Sequence, residues 1–319
     1  TLITSSAASD VYKRQSYDAT SNREDLSNVI YNIDPTATPF MSAIGSKNIT
    51  NVVFDWQTEN LPTPSGTGQL EGFELSRSTS TATTRESNVA QISSRDATVS
   101  GSQDASDPAG KKQELAHQMA LMSKALKRDM EVALCQNTAK NAGNATTARQ
   151  TRSFEAWITT NKSRGTGGAD GSASAAATDA STGNRRALTE ALLKTVLQSM
   201  FTNGAEPKMA IAGPVNKGVI SGFTGRSNTR QNVSADTVSA SISVYASDFG
   251  ELQIVPSNRS RDRSLLLVDP EYAKVAYLRN FQTMDIAKIG DADTKMILAE
   301  YGLEMSNEAA HGIVADLTA

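Results

Sequence analysis

Val52, Phe54 and Trp56 alternate with Val53 and Asp55, a period of two that places three apolar side chains on one face of a strand. Pro62, Pro64, Gly66, Gly68 and Gly72 break the pattern. After a Thr/Ser run, residues 86–100 return as a second strand whose larger aliphatics are only Val89, Ile92 and Val99. A two-stranded ribbon this poor in apolar surface has no core of its own. Its missing surface is expected from another copy of the protein; the alternative is a hairpin packed on its own domain.

The period then changes. Leu115, Met119, Met122, Leu126, Met130 and Leu134 recur three or four residues apart, with Asp107 placed to cap, Pro108 in the first turn and Gly143 as the next breaker. The spacing predicts a helix over 108–142, about 50 Å long at 1.5 Å per residue. A second amphipathic helix carries Leu188, Leu192, Val196 and Met200 and ends at Gly204. Strands are expected at 208–212, 242–245, 252–255, 265–268, 274–278, 294–305 and 312–315, with a short helix opening at Pro214 and a Gly/Ser/Arg loop over 221–231. Residues 161–184, rich in Gly, Ala, Ser and Asp without periodicity, read as a flexible surface loop. Helices and strands in no strict alternation imply an α+β protein.

Charge sharpens this picture. Residues 16–105 carry eleven acids and five bases, a net of −6, whereas residues 106–164 carry ten bases and five acids, a net of +5. Complementary charge steers association and fixes register, so the acidic ribbon of one copy is expected across the basic helix of its neighbour. The interface residues that follow are Phe54, Trp56, Glu59, Glu71 and Glu74 on the ribbon, and Lys111, Lys112, Lys124, Lys127 and Arg128 on the helix. Two solvated faces that never meet are the bland alternative.

Composition limits the rest. With 319 residues and 38% apolar content the chain can bury a sizeable core. Its net charge of −3 argues against a dedicated nucleic-acid binder. One cysteine excludes an internal disulfide framework and makes a reducing cytoplasm the expected folding compartment. The longest aliphatic run, 265–268, is far too short to span a bilayer. His117, His311 and Cys135 have no spacing for a zinc site or an activated nucleophile, and the acids after Gly290 lack the rest of a calcium loop. No catalytic residue, cofactor or metal is expected. The opening lacks an initiator Met, and SSAASDVYKRQ (5–15) looks like a translated sequencing adapter, so residues 1–15 are left out of the fold reading.

Several blocks then resemble one family in matching order. YNIDPTATPFMSAIG (31–45) followed by VVFDWQTENL (52–61) is similar to the N-terminal arm and extended loop of tailed-bacteriophage major capsid proteins. LLLVDPEYAKVAYLRNFQTMDIAKIGD (265–291) and AEYGLEMSNEAAHGIVADL (299–317) are similar to the C-terminal part of one branch of these head proteins. The resemblance implies an N-terminal arm over 16–50, an extended two-stranded loop over 51–105, and a peripheral domain over 106–160 with a long spine helix. It further implies a flexible loop over 161–183, an axial domain over 184–263, and strands over 264–319 returning to the peripheral and axial domains. It implies a virion structural subunit assembled in the bacterial host cytoplasm. The subunit would form pentamers and hexamers around double-stranded DNA held without sequence specificity, with scaffolding, portal and decoration proteins as further partners and no membrane. Some members of the fold are welded by an isopeptide bond from an extended-loop lysine; no lysine lies between Lys47 and Lys111, so no such crosslink is expected. A tail, portal or decoration component, or a carboxylate-dependent hydrolase, would be the alternative.

Overall fold

The structure, a computed structural model, describes residues 38–59, 64, 66–74, 82–106, 113–223 and 243–318. The N-terminal part of the expected arm, Pro62, Asp107, Pro108 and most of the 221–231 loop lie outside the described residues. Helix α1 (Pro39–Ala43) and strand β1 (Gly45–Asn48) lead into the ribbon of β2 (Val53–Thr58) and β3 (Thr84–Val89), then β4 (Gln91–Ser100) and α2 (Gly101–Ala105). Helix α3 (Glu114–Cys135), α4 (Phe154–Trp157), β5 (Lys162–Ser163) and α5 (Glu190–Thr202) follow. Next come β6 (Met209–Ala212), α6 (Pro214–Ser221), β7 (Val244–Ser247), β8 (Gly250–Pro256), β9 (Leu265–Val268), β10 (Ala273–Ile286), β11 (Ala292–Met305) and β12 (Gly312–Val314).

Two sheets organise these elements. A four-stranded sheet has the order β1-β10-β11-β4, and a six-stranded sheet has the order β5-β12-β9-β6-β8-β7. Helix α3 packs on β4 and β11. In the six-stranded sheet, β9 is apolar on both faces, as a central strand must be. Leu266 and Val268 join the core shared with α3 and the four-stranded sheet, while Leu265 and Leu267 face the core formed with α5 and α6. One sheet therefore separates two cores, and the period of two along four residues builds both.

The structure differs from the sequence reading at four places. The expected return strand over 86–100 is split. Residues up to Val89 pair with β2, but Ala90 is bound by its N–H to Val52 O at 2.8 Å, and from Gln91 the chain pairs with β11 instead. Helix α3 ends at Cys135 rather than continuing to residue 142. Asn137 is held beyond it by two hydrogen bonds to the Ala177 backbone, and Asn141 pairs with Gln150. Strand β10 extends to Ile286, well beyond the expected 278, because β11 pairs along it with register shifts at Arg279.

The 161–184 tract is tied down rather than loose. The buried Asp316, at φ 59, accepts the N–H groups of Gly165 at 2.9 Å and Ala180 at 2.7 Å. The buried Glu155 pairs with Arg261 at 2.8 Å, and Arg261 also pairs with Asp179 in the tract. The second helical stripe is as expected at Leu188, Val196 and Met200, all buried, with Leu193 and Leu197 added and Leu192 at its margin.

Candidate functional site

The ribbon of β2 and β3 is the element on which the sequence placed half of the expected interface. Its base is fixed by one side chain. Asn88 is fully buried; its amide donates to Leu303 O at 2.6 Å and Arg152 O at 3.2 Å, and its carbonyl accepts from Val89 N and Arg152 N, each at 2.9 Å. A buried amide with every group paired stabilises one geometry and penalises others. The strand β3 is thereby joined to β11 and to the segment before α4.

Alternation along β2 turns Phe54, Trp56 and Thr58 toward the body and Val53, Asp55 and Gln57 outward. Phe54 sits over Gly302 of β11, where a Cβ would lie 2.7 Å from the ring. Trp56 stacks on Phe54 at 5.9 Å between ring centroids and approaches Trp157 at 5.4 Å. The Arg152 guanidinium lies 4.0 Å over Trp157 and donates to Ala156 O at 2.7 Å. Burial lowers the pKa of Arg152, with Glu86 and Glu308 opposing the shift.

The Phe54 ring, only 6% exposed and seated on Gly302 of its own chain, anchors the ribbon to its own protomer. Trp56 is half-buried against the same core. The pit arises from a glycine about 250 residues away, which the ribbon's own pattern cannot reveal. The acidic side chains do face outward: Glu59, Glu71 and Glu74 are exposed. On the helix, Lys124 and Lys127 are exposed, with Lys127 Nζ 5.8 Å from the Phe281 ring centroid, and Arg128 is half-buried. Lys111 and Lys112 lie outside the described residues.

Two features were missed from sequence. Among the described residues between β2 and β3, Leu70 and Phe73 are the large apolar ones, 84% and 52% exposed. With Leu61 and Leu75 they are the large apolar residues of a stretch rich in Thr, Ser, Gly and Glu, and that contrast was the available signal. Glu131, buried in α3, accepts the backbone N–H groups of Phe40 at 2.8 Å and Met41 at 2.9 Å, clamping α1 to the long helix. Burial raises its pKa against those hydrogen bonds. It occupies a core-facing position on the α3 stripe and had no separate sequence signature.

Further ion pairs fasten the same frame. Glu304 of β11 pairs with Lys47 of β1 at 3.0 Å, and buried Glu300 bridges Arg149 at 2.6 Å and Arg279 at 2.7 Å. Buried carboxylates with several partners oppose separation of the strands they join. Cys135 is buried and its thiol pKa is pushed well up. His311 is buried too, with its pKa lowered to about 4 by burial. Among the described residues, no group of three or more His, Cys, Asp and Glu is placed to hold a metal ion, and no helix is long and apolar enough to cross a membrane.

Comparison with known proteins points one way. The family description "SU10 major capsid protein" matches residues 12–318. The major capsid protein of Escherichia phage Phieco32 is 31% identical over 126 residues, which are 39% of this chain and 36% of that relative's length. Among solved structures, the capsid of an empty GTA particle has a TM-score of 0.63 at 14% identity, covering 95% of this chain and 98% of the other. A Gordonia phage Cozz chain has a TM-score of 0.60 at 12% identity, covering 100% and 98%. A phage G structure of major capsid and decoration proteins has a TM-score of 0.55 at 9% identity, covering 94% and 99%.

Proposed function

This chain belongs to the SU10 major capsid protein family and is a structural subunit of a phage head, not an enzyme, and from that premise we propose that it closes the shell as pentamers and hexamers in which the ribbon of each copy crosses helix α3 of the next. The observation that carries this reading is the contrast along one ribbon. Its base is locked by Phe54 and Asn88, while residues 66–74 are exposed throughout. An arm with a fixed base and an exposed stretch beyond it is suited to a head-to-tail contact, the kind that closes into rings. The exposed Glu59, Glu71 and Glu74 are complementary in charge to the exposed Lys124 and Lys127, with Lys111, Lys112 and Arg128 on the same segment.

The resulting virion shell encloses double-stranded DNA without reading its sequence, in keeping with the chain's net charge of −3, which avoids trapping the polymer by general attraction. Scaffolding, portal and decoration proteins complete the particle, which assembles in the host cytoplasm. Light scattering and negative-stain imaging of the purified full chain test the reading. Five- and six-membered rings or closed shells are expected; a strictly monomeric, folded chain that stays monomeric with the remaining head proteins would refute it.

A further inference from the structure

The six-stranded sheet is completed out of chain order. Among the described residues β12 is the last strand, yet it lies inside the sheet, parallel to β5 on one side and antiparallel to β9 on the other. β5 is the edge strand, and β12 is its only ladder neighbour. Until residues 312–318 arrive, β5 has no strand to pair with and β9 has one open edge. Successive strands usually lie side by side. A pair closed across so long a stretch of chain forms late, because loop entropy is lost before any contact offsets it.

The segment is bound on every side. Ile313 N–H donates to Asn161 O at 2.9 Å, Ala315 N–H to Ser163 O at 2.8 Å, Leu317 N–H to Arg263 O at 2.9 Å and Thr318 N–H to Arg186 O at 3.0 Å. Its side chains serve both cores, and all four are fully buried: Ile313 and Ala315 join the cluster shared with α3, Val314 and Leu317 the one formed with α5. Gly312 passes so close beneath α5 that a Cβ would lie 2.6 Å from Met200 Sδ and 2.8 Å from Val196 Cγ1. The fully buried Asn161 links the entry to this segment with the end of α5. Its amide donates to Ala309 O at 2.6 Å and His311 O at 3.1 Å, and its carbonyl accepts from Ser199 Oγ at 2.9 Å and Asn203 Nδ2 at 2.7 Å. Without the segment, α5 loses the strand beneath it, and Asp316 no longer holds Gly165 and Ala180 of the 161–184 tract.

We propose that residues 312–318 are a closing strap. The chain folds first around α3 and the four-stranded sheet, stays open at α5 and the 161–184 tract until the strap is inserted, and only then can enter a ring. A copy cut short before Gly312 is thereby kept out of the shell. The folding order concerns the single chain; the exclusion of short copies rests on the shell reading above.

The first test uses the full chain. Gly312→Val places a side chain where Met200 and Val196 stand, so the strap cannot seat. Thermolysin is expected to cut within 161–184 at least about tenfold faster than in the wild type, since proteolysis follows the population of the open form. α3 should stay protected, and no rings should form. Asp316→Gly keeps the left-handed backbone available but removes the acceptor for Gly165 and Ala180, and should speed cutting of the same tract by a smaller factor. A Gly312→Val chain whose tract is as protected as the wild type's, or one cut equally over α3, would overturn the strap.

A second arm needs no substitution. Full chains are arrested on the ribosome with a Gly/Ser linker after residue 319, stepped from a length that frees β11 but holds residues 312–318 in the exit tunnel to one that frees both. Protection of 161–184 is expected only at the longer lengths; equal protection at both would overturn the folding order. Both digestions are read on single chains, so wild-type chains that close as expected yet never form rings remove the shell reading alone.

Discussion

Mild acid should loosen this subunit through His311. The imidazole is fully buried, with its ring centroid 5.2 Å from that of Phe154 in an edge-to-face arrangement, and Nδ1 accepts the Asp269 N–H at 3.2 Å. The proton therefore belongs on Nε2. A second proton on Nδ1 would set two donors against each other in a site closed to water. Burial accordingly lowers the pKa from 6.5 to about 4. Because the folded-state pKa is depressed, the stabilising contribution is complete above the unfolded value and is lost as pH falls through about 4. At about 1.4 kcal/mol per pKa unit, the whole shift is worth about 3 kcal/mol, of which about 2 kcal/mol disappears between about pH 7.5 and about pH 5. The buried carboxylates Glu131 and Glu155 act in the opposite sense. Burial raises the pKa of both, so their contributions are greatest in acid and decline as pH rises. The assay must therefore compare two chains. Urea unfolding followed by tryptophan fluorescence at both pH values is expected to show the wild type losing about 2 kcal/mol more than His311→Asn, which keeps an acceptor for Asp269 but cannot titrate. Equal losses in the two chains would refute the assignment of that sensitivity to His311.

Other consequences follow from the ribbon and its clamps. Phe54→Ala leaves an empty pit over Gly302 and should cost about 3–5 kcal/mol in urea unfolding, while Gly302→Ala, whose Cβ would meet the Phe54 ring at 2.7 Å, should cost about 1–3 kcal/mol by lifting the ribbon. Asn88→Ala strands the Leu303 carbonyl and the Arg152 N–H and carbonyl in the interior; a loss of about 1–3 kcal/mol per unpaired group is expected from thermal unfolding, with faster hydrogen exchange across β3. Glu131→Ala releases the Phe40 and Met41 amides, so proteolysis should cut near α1 sooner than in the wild type while leaving α5 protected. Assembled particles of the unaltered chain should run as monomers on a denaturing gel, since no lysine lies between Lys47 and Lys111; a covalent ladder would contradict this.

The sequence by itself determined the periodic parts. Leu265–Val268 could only be a buried strand, the α3 stripe was visible four residues at a time, and the alternation of Phe54 and Trp56 marked one face of a ribbon. It also held the signs of the charge on ribbon and helix. These are local signals, readable because a strand repeats every two residues and a helix about every 3.6. What covers a patterned face is a different matter. Phe54 reads only as one of an alternating set, and its seat on Gly302 of β11 exists only in the fold; the strand after Glu86 reads as continuous, yet the backbone of Val52 and then residues 292–301 of β11 bind it on different sides of Ala90. Asn88 and Asp316 sit in stretches with no motif, and their partners lie 215 and 151 residues away. A hydrogen-bonding side chain has no periodicity to betray it. Its role exists only once the tertiary fold brings a distant backbone group within 3 Å and removes the water that would otherwise have served.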